Sequence, residues 1–348
     1  MSQLSLRRSF VTAADVARRA GVSRSAVSRA FTPGASVSSE ARERILQAAK
    51  QLGYRVNRVA QSLIHARSNV VGLVGADLQQ PFHAQLLAGL SSALLAEGFQ
   101  CMLLNASNAE RDVGALIERV LEYRVLAVVV MAGTPPSRIV EECNNNGVSV
   151  IVINKPMPGL AVDTVVADHG AGGKLAADLL LAAGCKKLGV VSSGARTPSL
   201  TRRLDAFRAR AVKSGVPVRV WQKGPTDYQA GYAAALALLA KPVSSLDGVF
   251  CVTDLLALGF IDAARAECGR RVPEDLSVIG FDDIAQAGWG AYRLTTLCQP
   301  VPELTSAVMG MIRRRVEDPV APHALTTVPV WLVARSTVRG LASAEAPA

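Results

Sequence analysis

Val11-Thr-Ala-Ala-Asp-Val-Ala-Arg-Arg-Ala-Gly21-Val-Ser-Arg-Ser-Ala-Val-Ser-Arg-Ala-Phe31 is the stretch on which the reading of this chain turns. Thr12 stands three residues before Asp15, the spacing of an N-cap with an acidic first turn. Val16, Ala17 and Ala20 then recur at helical spacing until Gly21 stops the helix. Gly21-Val22-Ser23 makes a tight turn, and Ser23 is suited to cap a second helix over Arg24 to Phe31 with Val27 and Ala30 inward. Two short helices joined in this way predict a helix-turn-helix. Ser38 and Glu40 open a third helix whose buried stripe is Ile45, Ala48, Ala49 and Leu52, and Gly53 ends it. Left pointing outward from the second helix are Arg24, Ser25, Ser28 and Arg29, the donors and acceptors that a helix needs to read base edges in a major groove.

Charge is distributed to match. The chain has 348 residues and a formal net charge of +10, yet residues 1–69 hold twelve Arg and Lys against three acidic residues, so that segment carries +9 and the remainder about +1. A small basic module attached to a nearly neutral body implies a polyanionic partner, because neutralising phosphates releases counterions. A solvated basic face without a partner is the alternative that charge alone leaves open.

These residues are similar to the DNA-binding segment of the LacI/GalR (lactose-repressor/galactose-repressor) family. The matching run is Val11 to Phe31, then Val37-Ser38, Arg42, Gly53-Tyr54 and Asn57-Arg58-Val59-Ala60-Gln61-Ser62-Leu63. The resemblance implies double-stranded operator DNA as partner, with Thr12, Ser23, Arg24, Ser25, Ser28, Arg29, Tyr54, Asn57, Arg58 and Leu63 as contact residues. It also implies a hinge from Asn57 to His65 that turns helical on the operator, with Leu63 wedged into the minor groove at the dimer axis. An isolated helix of under about ten residues is marginal in water, so such a hinge needs its partner. An ordinary interdomain contact is the other reading of Leu63.

From Asn69 onward, short β-rich runs alternate with helical stretches, the pattern of a parallel sheet covered on both faces. Strands are predicted over Val70–Val74, Cys101–Leu104, Ala127–Met131, Val148–Ile153, Lys187–Val191, Val218–Trp221, Val249–Val252 and Ser277–Gly280. Ligands of open α/β sheets sit beyond the carboxyl ends of strands, so Asp77, Asn105, Asn154, Ser192, Thr253 and Asp282 are expected to line a cleft. The fold class that follows is a small all-α helix-turn-helix head on an α/β core. The resemblance implies that the core is two-lobed and periplasmic-binding-protein-like, with three crossovers near 162–166, 290–293 and 327–330. The expected organisation is a head over 1–56, a hinge over 57–68, a core over 69–340 and a disordered tail over 341–348. Within the core, one lobe comprises about 69–164 and 293–328, the other 165–291 and 329–340.

Enzymatic readings find little support. Gly170-Ala-Gly-Gly-Lys174 fails both GxxxxGK[ST] and GxGxxG, since Leu175 occupies the deciding position in each. Packing of a helix against its strand explains those small residues. Neither GxSxG nor HExxH occurs, and no His lies in a catalytic spacing. Six scattered cysteines without a CxxC pair suggest neither a metal site nor a disulfide framework, and no cofactor is expected. The N-terminus Met-Ser-Gln-Leu-Ser-Leu-Arg-Arg lacks the apolar stretch of a secretory signal, and no apolar run reaches the roughly 18 residues of a membrane span. The expectation is a cytoplasmic protein with no membrane partner. A sugar-binding protein without DNA function is the rival, disfavoured by the basic head.

The resemblance also carries effector contacts over to the core. Arg203-Leu-Asp-Ala-Phe207 matches the family's R-L-x-G-F segment, whose arginine binds a sugar hydroxyl or carboxylate, and Asp282 matches an aspartate that accepts hydroxyl hydrogen bonds. Asn154 follows a buried strand where sugar-responsive members place Asp or Asn. Thr253 departs from the usual asparagine. Phe82 and Trp289 are candidates to stack on a ring, and Lys155 and Arg196 join Arg203 as cations facing the carboxylate of Asp282, which suggests an anionic effector such as a sugar acid or sugar phosphate. For Arg203, Asp282 and Asn154 a helix cap or a cross-lobe hydrogen bond is the alternative, and for Phe82 and Trp289 it is core packing. The tail lacks leucine heptads, so a homodimer on a pseudo-palindromic operator is expected.

Overall fold

The computed structural model describes residues 10–32, 34–56, 68–106, 112–240 and 246–341, and they fall into two units divided after Ser68. In the first unit, α1 (Ala13–Ala20), α2 (Arg24–Ala30) and α3 (Ser39–Leu52) enclose a core of Val16, Ala17, Val27, Ala30, Ile45, Ala48 and Ala49. Thr12 and Asp15 form a reciprocal capping box, with Asp15 Oδ2 accepting from the Thr12 N–H at 2.9 Å. Gly21 takes φ +66° at the end of α1, a left-handed conformation that carries the chain into the turn and is inexpensive only for glycine. Asn57, Arg58, Leu63 and the rest of the expected hinge up to residue 67 lie outside the described residues.

The second unit contains two six-stranded sheets. The first runs in the order β11-β5-β4-β3-β1-β2 and is parallel throughout, from β1 (Val70–Ala76), β2 (Gln100–Ala106), β3 (Ala127–Val130), β4 (Ser149–Ile153), β5 (Asp163–Ala167) and β11 (Leu325–Val328). The second runs β12-β10-β9-β8-β6-β7, from β6 (Leu188–Ser192), β7 (Val218–Gln222), β8 (Gly248–Cys251), β9 (Ser277–Asp282), β10 (Thr296–Cys298) and β12 (Trp331–Val333), with only β12 antiparallel. Helices α4 (Pro81–Ala96), α5 (Val113–Leu121), α6 (Ser137–Asn145) and α11 (Val301–Glu317) belong to the first lobe. Helices α7 (His169–Ala182), α8 (Pro198–Lys213), α9 (Tyr228–Leu239) and α10 (Asp254–Ala266) belong to the second. The interior strands β1, β3, β4, β6, β8 and β9 are buried along almost their whole length and together are rich in Val, Ile and Leu, as strands covered on both faces require, whereas the edge strands β2, β7, β11 and β12 are partly exposed.

Two crossovers differ from the sequence expectation. The residues expected at the first crossing, 162–166, fall largely within β5, and the chain passes between lobes at Asp168, whose N–H still bonds Val328 O while its side chain caps α7. The second crossing lies at 299–300 rather than 290–293, because β10 remains in the second sheet. Strands of three to five residues offer too short an apolar run to read, and β5 and β10 also begin on Asp or Thr, which is why β5, β10, β11 and β12 escape pattern analysis. Asp163 in particular looks like a loop residue, yet it is buried and receives Arg315 Nε at 2.7 Å and Nη2 at 3.2 Å. The third crossing falls at 329–330, between β11 and β12, inside the expected window.

The small residues 170–173 serve close packing. A Cβ on Gly172 would lie 2.5 Å from the Phe281 ring and one on Gly173 would lie 2.2 Å from the Arg203 carbonyl oxygen. The first contact is with a strand, as expected; the second is with a neighbouring helix. Among the described residues no helix is long and apolar enough to cross a membrane.

Candidate functional site

In the head, Arg24, Ser25 and Arg29 stand exposed on α2 and Ser28 is half-buried, while Val27 and Ala30 fill the core side. Thr12 and Ser23 cap their helices, and Ser23 Oγ takes the Ala26 N–H at 3.2 Å. Both residues are exposed, and their hydroxyls retain acceptor capacity beyond the capping bond. Tyr54 is half-buried, with its ring centroid 5.6 Å from that of Phe31. Arg42 turns inward, donating from Nη1 to Ala30 O at 2.6 Å and from Nη2 to Ala35 O at 3.1 Å, so it clamps the turn between α2 and α3.

Between the two lobes of the second unit lies a cavity of about 400 Å³. Seven of the eight effector candidates line it: Phe82, Asn154, Lys155, Arg196, Arg203, Thr253 and Asp282. Trp289 does not. It follows a short 3₁₀ turn (Ala285–Gly288) and is 57% exposed, in a loop whose Tyr292 hydroxyl donates to Asp262 at 2.8 Å. Of the strand ends expected at the cleft, Asp77, Asn154, Thr253 and Asp282 line the cavity and Asn105 and Ser192 do not.

The floor of the cavity is a polar chain. Arg203 Nη1 donates to Asp282 Oδ1 at 3.0 Å and to Val252 O at 2.6 Å, and Arg203 Nε donates to His169 Nδ1 at 3.2 Å. Gln299 Nε2 also donates to Asp282 Oδ1, at 2.7 Å, and Gln299 Oε1 accepts from Asn154 Nδ2 at 3.1 Å. Asn154 Oδ1 in turn takes the Ala167 N–H at 2.9 Å, just before the first crossover. The Arg203 guanidinium carbon sits 3.6 Å from the Phe281 ring centroid, so the cation is packed as well as paired. Burial raises the Asp282 carboxyl above the usual carboxylate range, and Arg203 and Gln299 oppose that shift. His169, buried and next to Arg203, is held neutral with its pKa well below the usual imidazole value.

Backbone strain gathers here. Asp77 (φ 51°), Asn154 (φ 59°), Arg196 (φ 48°) and Asp282 (φ 123°) line the cavity with left-handed backbone, the conformation that turns strand-end side chains into the cleft. At the mouth, Gln80 Nε2 donates to Thr226 O at 2.7 Å, a direct bond from one lobe to the other. Gln80, His83, Thr134, Thr226 and Gln299 line the cavity without having been singled out from sequence; Gln299 follows a strand of only three residues and carried no signal.

Known proteins match along the chain. The family model "Bacterial regulatory proteins, lacI family" matches residues 12–57, and the model "Periplasmic binding protein-like domain" matches residues 177–338. The HTH-type transcriptional repressor PurR of Erwinia tasmaniensis is 30% identical over 311 residues, covering 88% of this chain and 91% of its own. A crystal structure of the lac repressor dimer bound to operator and the anti-inducer ONPF shares the fold, with a TM-score of 0.85 and 22% identity over 95% of this chain and 100% of that one. The transcriptional regulator CelR in complex with cellobiose is 27% identical, with a TM-score of 0.67, over 94% of this chain and 99% of its own.

Proposed function

The chain belongs to the lacI family of bacterial regulatory proteins, and on that premise we propose that it is a dimeric transcriptional repressor whose α2 reads operator DNA and whose interlobe cavity binds a small hydroxylated effector. The observation that carries the DNA half is the exposed face of Arg24, Ser25 and Arg29 over a core of Val27 and Ala30. A short helix that directs two guanidinium forks outward is suited to guanine O6 and N7 in a major groove. A homodimer fits the two half-sites of a pseudo-palindrome. The experiment is a gel shift of the full chain on DNA upstream of its own gene, with random DNA as competitor. Equal binding to both would reject operator recognition.

The effector half rests on the cavity lined by Asn154, Thr253, Asp282 and Gln299, whose amide, hydroxyl and carboxylate groups suit a polyol. We favour an anionic one, a sugar acid or sugar phosphate. Arg203 is already paired with Asp282, so the argument falls on Lys155 and Arg196, which face the cavity against Asp77. Asp77 and the Arg203–Asp282 pair bring the lining close to balance, and this favours a neutral sugar as the second reading. Differential scanning fluorimetry separates the two, because a ligand at about 100 times its Kd stabilises the fold by about 2.7 kcal/mol. A melting shift with D-gluconate or ribose 5-phosphate but not with D-ribose or cellobiose supports the anion; the reverse rejects it.

A further inference from the structure

Asp254 has no accessible surface and does not line the cavity, yet it directly follows the cavity residue Thr253 and bonds the turn that follows the cavity residue Asp282. It opens α10 immediately after Thr253, and its Oδ2 accepts the Ile284 N–H at 2.9 Å while its Oδ1 accepts from Thr296 Oγ1 at 2.5 Å. Ile284 closes a turn in which Asp282 (φ 123°) and Asp283 (φ 58°) are consecutive non-glycine residues with positive φ. Such a pair persists only when its surroundings over-determine it. On the Asp282 side the turn is held by Arg203 and Gln299 on the carboxylate and by the pairing of Asp282 with Cys298; beyond it, the ion pair from Arg335 Nη2 to Asp283 at 2.7 Å and Asp254 on Ile284 hold it. Gly280 leaves the space, since a Cβ there would lie 2.1 Å from Asp254 Oδ1.

We infer that Asp254 is a positioning residue of the effector site: by holding the Ile284 N–H it keeps the Asp282–Asp283 turn in the conformation that directs the Asp282 carboxylate at Arg203 and into the cavity. The inference rests on the cavity being the effector site. Asp254 bonds only neutral donors in the hydrogen bonds described, and the ionisable groups that act on it or feel it are Asp282 and Asp283 from the turn, Arg203 from α8, Cys251 from β8 and Cys298 from β10. The cluster therefore sets two buried carboxylates against one guanidinium. Burial and the charge of Asp282 push Asp254 up to about 7. Its charge consequently changes near neutrality, directly behind the wall that an effector touches.

The test compares Asp254→Ala, Asp254→Asn and Asp282→Ala with the wild-type full chain by calorimetry, using D-ribose, cellobiose, D-gluconate and ribose 5-phosphate as probes. An asparagine keeps an oxygen for the Ile284 N–H, and its amide can donate to Thr296 Oγ1. For any probe that binds, Asp254→Ala is expected to weaken affinity about tenfold or more, and Asp254→Asn to restore it to within about threefold at pH 7. A bound anion is further expected to weaken between pH 6 and 8 in the wild type and not in Asp254→Asn. Unchanged affinity in Asp254→Ala overturns the positioning role. A probe whose affinity Asp282→Ala leaves intact overturns the reading of the cavity instead. If no probe binds, crystal structures decide: the role stands if Asp282 leaves Arg203 in Asp254→Ala but not in Asp254→Asn, and falls if the turn is the same in both.

Discussion

Arg203 and Asp282 meet at 3.0 Å in the wall of the cavity with side chains only 3% and 10% exposed. Taking one charge from such a pair leaves the other buried and uncompensated, which costs about 3 to 5 kcal/mol. Arg203→Ala is accordingly expected to lower the denaturation midpoint of the core, and adding Asp282→Asn to recover part of the loss. Urea unfolding of the single and double variants measures this; strictly additive losses would mean that the two side chains do not interact.

In the head, Arg29 and Arg42 are predicted to behave differently although both belong to the basic module. Arg29→Ala is expected to weaken cognate operator binding by about 1 to 3 kcal/mol and random DNA far less. Arg42 donates to two backbone carbonyls, so Arg42→Ala should destabilise the head and weaken both DNAs together. Gel shifts paired with thermal melting of each variant distinguish the two; a cognate-specific loss in Arg42→Ala would overturn the clamp.

That contrast marks how far the sequence could be read. Val16, Ala17 and Ala20 recur at helical spacing, as do Ile45, Ala48, Ala49 and Leu52, and Gly21 and Gly53 stop their helices, so the head was legible almost to the residue. The long buried strands were equally plain, being runs of Val, Ile and Leu bounded by polar ends. Arg203, Asp282 and Asn154 were found because they stand at those ends or in a recognised segment. Gln299 and Gln80 were not, since a lone glutamine after a short strand looks the same whether it faces solvent or a cleft. Trp289 was misplaced because aromatic character says nothing about which side of a loop it occupies, and its loop is anchored by long-range contacts such as Tyr292–Asp262, 30 positions apart. Arg42 was counted in the charge of the head and in the family resemblance, and neither showed that it bonds Ala30 O and Ala35 O.

Gln80 is expected to act at the mouth of the cavity. Its bond to Thr226 O joins the lobes directly, so Gln80→Ala should cost only about 0.5 to 1.5 kcal/mol of stability while loosening closure. Small-angle scattering should then give a larger radius of gyration for the ligand-free variant than for the wild type. An identical scattering curve would show that the Gln80–Thr226 bond does not hold the lobes together.

The pH dependence of stability offers a test of Asp254 that needs no ligand. Its carboxyl is raised to about 7 in the folded chain from an ordinary 3.8, chiefly by burial and then by Asp282. An acid whose folded pKa is raised binds more protons folded than unfolded between those two values, so its contribution to stability is fully present below about pH 4 and is lost as pH rises towards 7. Asp282 shifts in the same direction, which means that the wild-type curve alone does not isolate Asp254. The informative quantity is the difference between wild type and Asp254→Asn, measured by urea unfolding in matched buffers from pH 5 to 8. Asparagine is neutral throughout, so the variant should gain on the wild type steadily across this range and level off above it. A difference that stays constant with pH would mean that Asp254 is ionised at ordinary acidity, and that a cation close by balances it.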